Sequence, residues 1–233
     1  MTPIGRPPLR TVPWSLADVA WALLQVFAIA LALVLAASIL NDLLPANNGI
    51  AGFVATLLLE GALLLSVVVF GLWKHRRSWD ALGLVPSPLR SSLLAAAVFG
   101  GILGFSIVYS SIMVALGLDS LLPNGLPDEI TQGLPQQLLG SFAAIVAAPF
   151  AEEVFFRGFL LPAFAAYWGF WPGAAASSLL FALSHASLGL LLPAFVSGLL
   201  LAWLYRRAGS LWPCVMAHGL QNTLALWAAL MSA

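Results

Sequence analysis

Charged side chains are scarce in this sequence. Its 233 residues include nine Lys and Arg and nine Asp and Glu, together 8% of the chain. An ordinary soluble domain carries about 25% charged residues, so a soluble monomer of this size could not cover its surface with them. Because 61% of the residues are hydrophobic, an intrinsically disordered chain is excluded too. The composition therefore indicates a polytopic membrane protein.

Cysteine and excess positive charge are also lacking. The single cysteine, Cys214, excludes an internal disulfide and a metal cluster built from several cysteines. The formal net charge of zero provides no overall basic excess of the kind that binds nucleic acid. The partner predicted from composition is therefore the lipid bilayer, and no nucleic acid is expected.

Long stretches with few charges are what the sequence has instead. A membrane-spanning helix needs about 20 mostly apolar residues. These stretches, divided where Pro and Gly interrupt them, predict seven helices at about 19–41, 50–73, 91–118, 137–161, 173–186, 190–205 and 211–231. The predicted fold class is all-α, a polytopic transmembrane bundle of about seven helices with a polar intramembrane cavity. An eighth, interfacial helix within 120–136 stays open.

Three parts of the chain are expected. Residues 1–15 are Pro-rich and predicted to be an unstructured cytoplasmic tail. Residues 16–118 hold the N-terminal helices one to three, and 137–231 hold helices four to seven. In helix three, Gly100 and Gly104 form a small-xxx-small pair, which predicts close helix packing.

The charges also predict orientation. With seven spans, all nine basic residues fall on one side of the membrane or close to it. The opposite side receives Asp42, Asp119, Asp128 and Glu129. The positive-inside rule then places the N-terminus in the cytoplasm and the C-terminus on the opposite side. We expect an integral protein of the cell (plasma) membrane.

Ionisable residues at membrane depth are costly and mark functional sites. Glu153 and Arg157 are four residues apart and can pair on one helix face. Glu152 is rotated by about 100° from that face, and a buried carboxylate without a partner suits a general base. The alternative is that both glutamates neutralise Arg157, although one pair would suffice for that.

Four further positions carry polar groups into the predicted bundle. His218 and Asn222 share one face of helix seven, where they would either hold a developing oxyanion or link helices by hydrogen bonds. His185 follows Phe181 by four residues near the end of helix five, a position that taken alone is more typical of a core or interfacial histidine. Glu60 lies mid-way along helix two, and the sequence gives it no role.

These residues form three motifs in order. They read Glu152-Glu153-Val154-Phe155-Phe156-Arg157, Phe181-Ala182-Leu183-Ser184-His185 and His218-Gly219-Leu220-Gln221-Asn222. The sequence over about 137–231 resembles the CPBP family of intramembrane proteases, which shows E-E-x-x-x-R, F-x-x-x-H and H-x-x-x-N on successive membrane helices. That family includes type II CAAX prenyl endopeptidases and bacteriocin-processing or immunity proteins.

The resemblance implies roles for these positions. Glu152 would be the base that activates a water, His185 would help to hold that water, and His218 and Asn222 would form the oxyanion site. Glu153 and Arg157, with Phe181, would support this geometry. The implied substrate is a membrane-associated peptide or protein, of the prenylated CAAX type or a leader peptide, cleaved near the cytoplasmic side.

These residues are compatible with two mechanisms of peptide hydrolysis. Glu152, His185 and His218 are an E/H/H set that would bind zinc and make the protein a metalloprotease. Zinc would then consume Glu152 and leave no separate base, so the sequence favours a mechanism without a required cofactor. A non-proteolytic immunity or chaperone-like protein on the same scaffold is the alternative function. A transporter is disfavoured because no inverted repeat is visible.

Overall fold

The protein is all-helical in the computed structural model, which describes residues 10–43, 50–123 and 133–232. The described residues form seven helices. They are α1 (Leu16–Leu43), α2 (Ile50–Val67, continued by the π-helical Val68–Trp73), α3 (Leu89–Ala115), α4 (Leu134–Trp168), α5 (Phe170–Ser184), α6 (Leu188–Ala208) and α7 (Trp212–Ser232). The predicted fold class and helix number are confirmed.

Five of these helices, α1 to α4 and α6, are long and apolar enough to cross a membrane. Helix α5 has 15 residues and spans about 22 Å at 1.5 Å per residue, less than the ~30 Å of a bilayer core. Helix α7 is long enough but carries several polar side chains, including His218 and Asn222. The chain is therefore an integral membrane protein with five such helices among the described residues.

The eighth helix that the sequence leaves open within 120–136 falls only partly inside the described residues. Residues Asp119–Leu121 form a short 3₁₀ turn. Residues 124–132, which include the predicted external charges Asp128 and Glu129, lie outside the described residues, as does the tail segment 1–9.

Helix α4 occupies the centre of the bundle and packs against α2, α5 and α7. Its buried face includes Phe155, Phe159 and Leu160, none more than 1% exposed. Close backbone approach is reached at Gly173 of α5, where a Cβ would lie 2.7 Å from the Ala165 nitrogen. This contact seats the short α5 directly against α4.

The predicted close packing at Gly100 and Gly104 is wrong. A Cβ at either glycine would meet nothing within 4 Å among the described atoms. Their face of α3 is exposed and directed away from the bundle, because α3 packs on α6 and α7 through residues such as Val98 and Ile102.

The segment before α1 is not an unstructured tail over residues 10–15. Trp14 is buried, and its indole Nε1–H donates to the Phe159 carbonyl at 2.9 Å. Ser15 and Asp18 exchange hydrogen bonds at the start of α1, as in a capping box. Asp18 also pairs with Lys74 beyond the end of α2. The Trp-Ser-x-x-Asp pattern is the feature of the sequence that predicts an ordered start of α1.

Candidate active site

Two π-helical segments interrupt α4, over Ala143–Ala147 and Glu153–Leu160. Each is followed within two residues by a proline, Pro149 or Pro162. Proline has no N–H to donate, and its ring crowds the carbonyl four residues earlier. The helix widens there instead of breaking, a pattern that is frequent at functional sites.

Side chains from three other parts of the chain bind carbonyls of these widened segments. The bonds are Asn222 Nδ2–H to Ala144 O at 2.8 Å, Ser177 Oγ–H to Phe156 O at 2.7 Å, and Trp14 Nε1–H to Phe159 O at 2.9 Å. In a bilayer core, where water is absent, freed backbone groups must find such partners. Hydrogen bonds to the π-helical segments therefore link α7, α5 and the N-terminal segment to α4.

The Glu153–Arg157 pair predicted from its spacing is present. Arg157 Nη1 lies 2.9 Å from Glu153 Oε1, and both side chains are almost fully buried, at 1% and 0% exposed. The guanidinium also lies over the Phe181 ring, 4.2 Å from its centroid. Such a cation–π contact offsets part of the cost of burying the charge.

His218 of α7 lies between the two glutamates. Its Nδ1 donates to Glu153 Oε1 at 3.0 Å, since an ionised carboxylate can only accept. Its Nε2 lies 3.6 Å from Glu152 Oε2, an electrostatic contact too long for a direct hydrogen bond. The sequence did not reveal that Glu153 orients this histidine, because residues 153 and 218 meet only in the packed bundle.

Glu152 differs from Glu153 in its surroundings. The side chain of Glu152 is 15% exposed, whereas that of Glu153 is fully buried and bound to two cationic or donor groups. The predicted pairing of Glu153 is present, whereas Glu152, predicted to be buried without a partner in its own helix, is partly exposed and lies 3.6 Å from His218 Nε2.

His185 closes α5 next to this group. Its ring nitrogen Nδ1 donates to the Phe181 carbonyl at 2.8 Å, which leaves Nε2 as the acceptor of a neutral imidazole. The Phe181 ring stands edge-to-face between the two histidines, with centroids 4.8 Å from His185 and 5.7 Å from His218. The Phe181 ring thus contacts both imidazoles and the Arg157 guanidinium.

Asn222 lies one helical turn from His218, and both bind α4. The Asn222 amide binds the Ala144 carbonyl, whereas His218 binds Glu153. One of the two amide hydrogens of Asn222 is used in this way, and the amide retains a second.

Glu60 is the acid whose position the sequence could not interpret. It is 7% exposed, and its Oε2 has no hydrogen-bond partner among the described residues. Helix α2, which carries Glu60, packs on α4, which carries Glu152. The feature of the sequence that marked Glu60 was its position as a single acid in an otherwise apolar span.

A zinc site is the alternative that the sequence leaves open for these side chains. No group of three His, Cys, Asp or Glu side chains that could hold a metal ion occurs in the part of the chain that the structure describes. His218 directs its Nδ1 to Glu153, and the nearest approach of its Nε2 to Glu152 is 3.6 Å. The E/H/H set of Glu152, His185 and His218 therefore gains no support, and no reaction step is derived through a metal.

Comparison with known protein families matches residues 134–224 to the model described as type II CAAX prenyl endopeptidase Rce1-like. The matched stretch begins at the first residue of α4 and ends two residues after Asn222, so it contains all three motifs. No curated protein and no solved structure matches the chain.

Proposed function

We propose that this chain, whose residues 134–224 match the Rce1-like model, is an intramembrane endopeptidase of the CPBP family that uses a glutamate-activated water. The family implies CAAX-type intramembrane protease activity in general.

One observation carries the mechanism: the four-residue series Arg157, Glu153, His218 and Glu152. Arg157 fixes Glu153, Glu153 fixes the His218 ring through Nδ1, and the Nε2 of that ring faces Glu152. With His218 as an imidazolium, the series carries two positive and two negative charges, so a charged site is balanced inside the bundle.

Glu152 acts as the general base. It removes a proton from a water whose oxygen attacks the carbonyl carbon of the scissile peptide bond. The carbonyl π electrons move to its oxygen, forming a tetrahedral oxyanion. When the oxyanion collapses, the C–N bond breaks, and the proton held by Glu152 passes to the departing amine. No cofactor is consumed in these steps.

The neighbouring side chains hold the water, bind the oxyanion and orient the groups that react. The unprotonated Nε2 of His185 accepts a hydrogen bond from the water and holds it toward Glu152. The imidazolium Nε2–H of His218 and the second amide hydrogen of Asn222 donate to the oxyanion, where preorganised donors lower the barrier most. Glu153, Arg157 and Phe181 are positioning residues.

The substrate is a membrane-associated peptide or protein, prenylated at a CAAX-type terminus or carrying a leader. It reaches the site from the bilayer, with the protein's N-terminus in the cytoplasm of a cell whose plasma membrane it spans. The arginines after α2 and in the last turn of α6 support this orientation by the positive-inside rule.

The test is cleavage by the purified full-length protein. Prenylated CAAX peptides, unprenylated CAAX peptides and membrane-anchored leader peptides are incubated with wild type and with Glu152→Gln, which keeps side-chain size but removes the base. Loss of a general base is expected to lower kcat about 10²–10⁴-fold.

Asp119→Asn is the matched control, because it removes one exposed acid outside the site and should retain wild-type kcat. Cleavage that persists in Glu152→Gln would contradict the mechanism. Binding of these peptides without cleavage by wild type would favour a non-proteolytic immunity or chaperone-like role.

A further inference from the structure

A cavity beyond the end of α2 gathers three arginines away from the candidate active site. Its volume is about 340 Å³, and its lining consists of Arg10, Thr11, Arg76, Arg77, Ser78, Asp80 and Ala81. Ligand sites in proteins commonly measure about 300–1,000 Å³. The cavity is therefore large enough for a small polar group.

Positive charge is in excess inside this cavity. Its lining contains three arginines and one carboxylate, that of Asp80. The Ser78 hydroxyl donates to that carboxylate and holds the pKa of Asp80 below its usual range, so Asp80 stays ionised. Arg10 is fixed by a hydrogen bond from Nη1 to the Asp80 carbonyl at 2.8 Å. Two positive charges remain unbalanced by the lining.

The backbone is strained at Arg76, one of the two consecutive arginines that line the cavity. Arg76 has a φ of +50°, the left-handed region that few non-glycine residues adopt. Such strain persists where the surrounding structure enforces it, and it is concentrated at ligand sites. Arg76 and Arg77 are adjacent in sequence, yet both line the same cavity.

The cavity lies at the depth of lipid headgroups. The apolar stretch of α2 ends at Trp73, and that of α3 begins at Leu89, so the cavity residues from Arg76 to Ala81 fall between the two span ends. Arg10 and Thr11 precede the first residue of α1. Trp73 and Trp79 are 75% and 42% exposed beside it. Exposed tryptophans at helix ends mark the membrane–water interface.

We infer that this cavity binds the phosphate group of an anionic phospholipid. Guanidinium groups bind phosphate through paired N–H donors, and basic pockets at the ends of membrane helices are suited to anionic headgroups. The site is separate from Glu152 and does not depend on the proposed protease activity. A free phosphate ion shares this chemistry, and the experiment distinguishes the two sources.

The test measures thermal unfolding of the full-length protein in a neutral detergent. Dioleoylphosphatidylglycerol, dioleoylphosphatidylcholine or inorganic phosphate is titrated in separate series, because a ligand that binds the folded state raises Tm with its concentration. Phosphatidylglycerol is expected to raise Tm saturably. The zwitterionic lipid and inorganic phosphate are expected to change it little at equal concentrations.

Charge-removing variants locate the site. In Arg76→Gln/Arg77→Gln the apparent Kd for phosphatidylglycerol should rise about 25-fold, or about fivefold per arginine. Arg90→Gln/Arg207→Gln removes two exposed arginines outside the cavity and should raise Kd less than about threefold, because such charges are screened by salt. Arg76→Lys/Arg77→Lys keeps the charge but loses the paired donors, and about fivefold weaker binding is expected.

Three results would overturn the inference. Equal weakening in the cavity and control variants would mean diffuse attraction to the whole face. An equal Tm shift with inorganic phosphate would assign the site to a soluble anion. Unchanged Kd in both the Gln and Lys cavity variants would remove these arginines from any binding role. If the Gln variant does not fold, the Lys variant decides.

Discussion

Because Arg157 and Glu153 are both buried, we expect the contribution of each to the free energy of unfolding to depend strongly on the presence of the other. We consider Glu153→Gln, Arg157→Met and the double variant. Each single change leaves one charge inside the bundle without its 2.9 Å partner. The double change removes both charges and retains side chains of similar length.

The magnitude follows from the burial of both groups, which are 1% exposed or less. Breaking a buried ion pair by removing one partner costs about 3–5 kcal/mol, whereas replacing both by neutral groups costs far less. Independent single costs would sum to about 6–10 kcal/mol by the same figures. We expect the double variant to cost no more than either single one, so the coupling is at least about 3 kcal/mol.

The measurement is a double-mutant cycle on the free energy of unfolding, from denaturant titration in detergent micelles. Loss of the contact between Arg157 and the Phe181 ring occurs in both Arg157 variants and cancels in the cycle. The control cycle uses Lys74→Met and Asp18→Asn. Because Lys74 is 55% exposed, a coupling within about 1 kcal/mol is expected there.

If the losses of unfolding free energy in Glu153→Gln and Arg157→Met added up in the double variant, the reasoning would be refuted. Additivity would mean that Glu153 and Arg157 are each neutralised by other groups, and that His218 is not held by a carboxylate whose charge Arg157 balances. A control coupling as large as that of the buried pair would show that burial does not set the magnitude.

Other expectations concern single contacts. Trp14→Phe should lower the free energy of unfolding by about 1–3 kcal/mol, because a buried carbonyl of α4 loses its donor, and denaturant titration measures it. Gly189→Ala should lower Tm because its Cβ would clash with the Leu122 carbonyl. Gly100→Ala, on an open face, should raise stability by about 0.5–1 kcal/mol, and a loss there would contradict the open surface. Glu60→Leu should raise stability by about 1–3 kcal/mol, because it removes a buried carboxyl oxygen without a partner, and a lower Tm would mean that this oxygen is satisfied.

Local spacing predicted part of the candidate site. The i, i+4 rule placed Glu153 with Arg157, and the same rule placed His218 and Asn222 on one side of α7. Both follow from helix geometry alone, so they could be derived before any packing was known. Seven helices followed similarly from the lengths of the apolar stretches.

Long-range contacts could not be predicted in this way. The bond from His218 to Glu153 joins residues 65 positions apart, and that from Trp14 to Phe159 joins residues 145 positions apart. Nothing in either local pattern specifies the partner. The small-xxx-small pair at Gly100 and Gly104 shows the converse error, since a local pattern typical of close packing faces open space.

The sequence by itself determined a membrane-embedded helical chain with acids and histidines at set positions along its C-terminal helices. Composition and helical period are properties of short stretches, and they suffice for that. Only the tertiary structure decided which groups meet: His218 lies between two glutamates, and Asn222 is bound to a carbonyl of the widened α4. These contacts depend on how the helices cross, which is set by packing over the whole bundle.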